Sequence, residues 1–148
     1  MKKIVLVLML VSALAMTTSV FAAPRTGMGG WGAGTKYGRL YNAQTVETVS
    51  GEVVKAEKIK PMKGMSYGIH LVLKTEKGEI PVHLGPAWYI NNQDMEIATG
   101  DKVEVKGSKV DIGGKPAIIA AEVKKGDETL KLRDDDGFPM WAGWRRNR

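Results

Sequence analysis

Between Thr45 and Leu132 apolar residues recur near every second position in short runs, and Gly, Pro and Asp separate the runs. A period of two gives each segment one dry face and one wet face, the pattern of half-buried strands, and it argues against a helical bundle. A first long strand is expected over about Thr45 to Lys60, with Gly51 inside it as a bulge or bend. Pro61 to Gly64 is a loop. The second strand, about Ser66 to Thr75, places Ile69, Leu71 and Leu73 on one face; the third, Glu79 to Leu84, does the same with Ile80, Val82 and Leu84. A tight turn at Lys77-Gly78 would pair Leu71 with Leu84 and Leu73 with Val82, so that the two apolar faces coincide.

Pro86 suits a first helical position, and Ala87 to Gln93 has room for two turns of helix. A fourth strand begins after Gly100-Asp101 with Val103 and Val105 inward. The parity flips across Gly107-Ser108, so that Val110 and Ile112 face in, as a bulge would cause. Lys115 to Val123 is the fifth strand and Thr129 to Arg133 a short sixth. The expected fold class is therefore all-β: a small OB-fold-like β-barrel of five to six strands with one short helix between strands three and four. An open six-stranded sandwich is the competing arrangement. In OB folds the face of strands two and three commonly carries the ligand.

The flanks have a different character. Lys2 and Lys3 precede a 13-residue apolar run, Ile4 to Met16, too short for a bilayer span of about 20 residues. Val20-Phe21-Ala22 supplies small residues for cleavage, so residues 1–22 are expected to be a bacterial secretory signal and the chain periplasmic or secreted, with no transmembrane segment after cleavage. Of 148 residues, 126 would remain, enough for a single core without staples. Residues 23–43, glycine-rich with Trp31 and Tyr37 interspersed, are expected to be a flexible arm. Residues 44–133 form the barrel, and residues 134–148 an aromatic and basic tail.

The formal charge is +6, which raises the question of nucleic acid. Its distribution answers against it. Leu40 to Leu130 holds 12 lysines and 13 acidic residues, so the basic excess lies in the flanks. There is no cysteine, which removes disulfides, thiolate nucleophiles and Cys-ligated metals.

The run Gly64 to Ile90 (GMSYGIHLVLKTEKGEIPVHLGPAWYI), the following Gly100 to Ser108, PAIIAAEVKKG, and the ending with Trp141-Ala142-Gly143-Trp144-Arg145-Arg146 together resemble the domain of the magnetosome-associated MamS and MamX proteins. The resemblance covers about Thr45 to Arg146 and implies a small exported accessory or binding domain. MamX-type members carry CxxCH haem motifs; with no cysteine here, a haem role is not carried over.

Candidate site residues come from the same reading. In the expected register position 70 lies opposite 85 and position 72 opposite 83. His70 and His83 are then diagonal neighbours on the face away from the core, with Cβ atoms within roughly 7–8 Å. They could share a metal, and with Met62 and Met65 in the preceding loop the set would suit copper, Cu(I) above all; iron is the other ion considered. The alternative is two half-exposed strand histidines packing over Tyr67 or Trp88. In the short helix Trp88 is expected in the core and Tyr89 on the surface. Trp141, Trp144, Arg145 and Arg146 combine aromatic and arginine groups of the kind enriched in interface hot spots and suited to peripheral contact with an anionic membrane; alternatively the tail folds back and closes one end of the barrel.

Enzyme signatures are missing: there is no G-x-S-x-G elbow, H-E-x-x-H, P-loop or dinucleotide fingerprint. The expectation is a non-enzymatic binding domain, with no cofactor unless a copper or iron ion, that recognises an envelope protein or a small anionic ligand through Tyr67, His70, His83, Tyr89 and the tail. Metal handling is the second reading. Single-stranded nucleic acid, stacked on an OB face, is the third.

Overall fold

The computed structural model describes residues 29–142. The expected signal segment, and Trp144, Arg145 and Arg146 of the tail, lie outside them. The elements are β1 (Val46–Ile59), β2 (Gly68–Thr75), β3 (Gly78–Pro86), α1 (Ala87–Ile90), β4 (Lys102–Ile112), β5 (Lys115–Lys125) and β6 (Glu128–Lys131). The sheet order is β3-β2-β1-β4-β5-β6, antiparallel throughout except for one extra parallel pairing of β3 with β5 at Val82↔Ile118 and His83↔Ile119. That pairing closes β1 to β5 into a ring, and α1 falls between β3 and β4. This is the OB-type arrangement expected from the element order.

β1 is long because it serves two partners: residues 46–52 pair with β4 and residues 52–59 with β2. Gly51 sits at the handover, where a Cβ would meet the Lys74 carbonyl and Leu73. The register shift itself comes slightly later, between Val53 and Lys55. The parity flip in β4 is present, with its register shift between Lys106 and Gly107. Alternating residues of the strands fill the ring: Leu71, Leu73, Val82, Leu84, Val103, Val105 and Val123 are all buried.

Two stretches break the alternation. Residues 82–86 of β3 and 117–121 of β5 are buried without interruption, so the outside of the barrel is covered there as well. The cover comes from both flanks. Trp31 and Tyr37 are 0% and 1% exposed, which corrects the expectation of a flexible arm over residues 29–43. Trp31 Nε1 donates to Ser66 O at 3.0 Å, and Ser108 Oγ accepts from Asn42 N at 3.0 Å. On the other side, Met140 N donates to Leu132 O, and Arg133 bridges Pro139. This turns the start of the tail back on itself. Trp141 ends up fully buried, its Nε1 donating to Trp31 O at 2.8 Å. Two large aromatics, one from each flank, thus extend the hydrophobic core to the outside of the barrel. Glycine content alone suggested an arm with nothing to pack; the tryptophan and tyrosine set between the glycines supply the packing.

Candidate functional site

The outer face of β2 and β3 was the expected ligand surface. Its glycines explain what became of it. Gly68 and Gly85 lack the side chains that would keep a large ring away: a Cβ on Gly68 would enter the Trp31 ring, and one on Gly85 would approach Trp141 to 2.8 Å. The two tryptophans therefore sit directly on the strands, edge to face with each other at 6.5 Å between centroids, a favoured arrangement.

The hairpin turn lies at Glu76-Lys77, with Thr75 paired to Gly78. Thr75 Oγ1 closes it by accepting from Lys77 N and donating to Gly78 O, and Gly78 takes φ +114° just after the turn. The expected turn at Lys77-Gly78 is thereby moved, and cross-strand partners shift by two. Leu71 pairs with Val82 and Leu73 with Ile80. A shift of two keeps every side chain on its face, which is why the core prediction survives. His70 and His83 become direct partners instead of diagonal ones, with ring centroids 5.8 Å apart.

Each imidazole is held by a further group. His70 Nε2 lies 2.8 Å from Glu57 Oε1 on the neighbouring β1, and that hydrogen bond holds the Glu57 carboxyl below its ordinary pKa. His83 Nδ1 is hydrogen-bonded to the Tyr37 hydroxyl at 3.2 Å, with the rings stacked. Burial, and secondarily the charge of His70, lower the His83 pKa to about 4. Burial drives the Tyr37 phenol well above its usual value, against the opposing effect of Arg133. Neither Tyr37 nor Arg133 was singled out by the sequence, since nothing in it shows that residues 37, 83 and 133 meet.

The thioethers go elsewhere. Met65 is buried in the main apolar cluster and Met62 packs against it. Among the described residues no group of three or more His, Asp or Glu is gathered as a metal centre. Within α1 the expected roles are exchanged: Tyr89 is buried against Trp141 at 5.5 Å between centroids, and Trp88 is only half-buried. The helix is a single turn, and Trp141 sets which of its side chains is covered. Trp141 is likewise a packing residue rather than a surface one. Tyr67 does lie exposed, with Lys60 Nζ 4.7 Å above its ring.

Trp31 and Trp141 cover the β2–β3 face at Gly68 and Gly85, and a separate concavity opens at the end of the barrel beside α1. A cleft of about 450 Å³ runs between β1, β2, the end of α1 and the loop to β4. Leu71 and Leu84 form its floor, and Ile69, Ile90, Met95, Ile97 and Leu130 line the sides. Glu57, Glu96, Asn91, Gln93, Lys58 and Ala56 complete the lining. Residues 93, 95 and 97 alternate inward along the loop, as half-buried positions between exposed ones. The helix ends at Ile90 rather than at the expected Gln93, so residues 91–97 line the cleft as a loop that no strand or helix periodicity marks in the sequence.

A family model described as the MamS/MamX magnetosome protein family matches residues 45–130. Among solved structures, the chain is similar to the second OB-fold domain of replication protein A from Methanococcus maripaludis, solved by NMR in solution. The identity is 24%, over 57% of this chain and 86% of that one, with a TM-score of 0.38. No curated protein matches the chain.

Proposed function

The chain belongs to the MamS/MamX magnetosome protein family, and from that footing we propose that it is an exported, non-enzymatic accessory domain that binds a protein partner in the cleft at the barrel mouth. The observation that carries this reading is the cleft itself. Its volume falls in the roughly 300–1,000 Å³ range of ligand sites, it lies at the mouth of a barrel, and apolar walls surround a few polar groups. Glu57 and Glu96 outnumber Lys58 on the lining. This suits an apolar anchor beside a cationic group and argues against a small anion in this position.

The test is selection from a displayed peptide library. Peptides with an aliphatic or aromatic anchor next to Lys or Arg should be enriched, and Ile97→Glu should abolish their binding while leaving the circular dichroism spectrum unchanged. Enrichment that is insensitive to Ile97→Glu and Met95→Glu would place recognition elsewhere.

Envelope metal handling remains a second reading, favoured by the direct opposition of His70 and His83, each already oriented through one ring nitrogen. Such outer partners are typical of metal-binding histidines. Copper or zinc titration should then saturate at one equivalent and fail in both His70→Ala and His83→Ala; absence of stoichiometric uptake ends it. Single-stranded nucleic acid is the weakest reading, because Trp31, Tyr37 and Trp141 occupy the face that stacked bases would need.

A further inference from the structure

Arg133 is 2% exposed. Its guanidinium is flanked by the rings of Trp141 and Tyr41, with its central carbon 5.0 Å and 5.6 Å from their centroids. Its hydrogen bonding is incomplete. Nη1 donates to Gly137 O at 3.0 Å, while the buried Nε has no acceptor. Among the described residues no carboxylate pairs with it; the ion pairs there are His70 with Glu57 and Lys125 with Asp101. A buried guanidinium without a counter-ion is costly, because its lost hydration is only partly replaced by ring faces and one carbonyl.

Arg133 also lines a cavity of about 240 Å³, together with Tyr41, Lys106 and Lys131. Three acids share this lining, and one is engaged in hydrogen bonds. Asp134 Oδ1 accepts from Asp136 N and Phe138 N, both at 2.9 Å, and so caps its own turn. Glu122 stands between Lys106 and Lys131 as the cross-strand partner of both. Asp135 is exposed, and it limits the negative charge the cavity tolerates.

We propose that Arg133 anchors a site for a monoanionic carboxylate, which enters the cavity beside it to supply the acceptor that the buried, unpartnered Nε edge of the guanidinium lacks, and which Lys106 and Lys131 attract to the cavity. The planar fork of arginine matches a carboxylate. The limited volume and the presence of Asp135 disfavour a dianion. This site is separate from the barrel-mouth cleft, so either can fail without the other. The carboxylate could belong to a free small acid or to the C-terminus of a peptide.

The experiment follows the arginine Nε–H resonances of the full ¹⁵N-labelled chain at constant ionic strength, with Arg133 assigned through Arg133→Lys. Acetate and a short peptide with a free C-terminus are titrated, alongside the same peptide amidated and sodium chloride. A saturable shift of the Arg133 resonance with acetate identifies a free acid as sufficient. A stronger response to the peptide that the amide lacks identifies a C-terminus. Either supports the site. No saturable shift with either carboxylate, or an equal shift with chloride, overturns it. Lys106→Glu combined with Lys131→Glu alters only exposed residues and should weaken the carboxylate several-fold; unchanged affinity would also overturn the proposed site.

Discussion

His83 is the residue on which acid sensitivity should turn. It is 5% exposed between Tyr37 and His70, and its pKa in the fold is about 4 against an ordinary value of 6.5. The unfolded chain therefore takes up this proton first. Stability contributed by the neutral ring is full above about pH 6.5 and declines as pH falls toward 4. At about 1.4 kcal/mol per pKa unit the loss is on the order of 3 kcal/mol at most. Glu57 acts with the same sign: its lowered pKa, caused first by the hydrogen bond to His70, contributes stability that is present above the ordinary carboxylate pKa and is lost as acid protonates the group. His83→Gln should flatten the decline in melting temperature between pH 6.5 and 4; an unchanged slope would assign it to other groups. Trp31→Ala should cost about 3–5 kcal/mol in denaturant unfolding, since the ring is fully buried and ties the N-terminal flank to Ser66. At this scale the sequence identified His70 and His83 as neighbours through strand parity. It could not assign Tyr89 and Trp88, because a one-turn helix has no periodicity strong enough to mark its buried side.

Among the elements, the β2–β3 hairpin shows what local pattern fixes and what it leaves free. Alternation of Ile69, Leu71 and Leu73 against Ile80, Val82 and Leu84 sets the face of each residue, but pairings that differ by two satisfy it equally. Thr75 and Gly78 choose between them through the turn. The flanks behave as elements of the barrel despite their composition. A chain beginning at residue 44 keeps all of the 45–130 family match but loses the ring that covers Gly68 and the partner of His83. It should melt at a lower temperature and expose Trp141 to fluorescence quenching by acrylamide. Equal stability of the shortened chain would mean that the flank contributes nothing net. Gly85→Ala tests the same layer from below: the added methyl pushes on the Trp141 ring, so destabilisation should be larger than for Ala substitutions at the open turn glycines Gly64 and Gly113.

For the molecule as a whole, the ring closes through β3 and β5, and the chain covers the outside of β3 at Gly85 and of β2 at Gly68 with its own aromatic residues. Fluorescence anisotropy with single-stranded DNA should accordingly show no binding even at low salt, where phosphate contacts are strongest; a salt-sensitive rise would reinstate the nucleic-acid reading. The sequence by itself determined the strand alternation, the order of elements around a short helix, the parity flip at Gly107 and the near-neutral charge of the barrel. All of these follow from local periodicity and from turn residues acting over a few positions. Only the tertiary structure decided that Trp31, Tyr37, Arg133 and Trp141 share one layer, and that residues 90–97 close one side of a cleft against β1 and β2. The contact of Trp141 with Trp31 joins positions 110 residues apart. Such contacts depend on the closed ring bringing β3, β5 and both flanks together, and no short-range pattern along the chain records that closure.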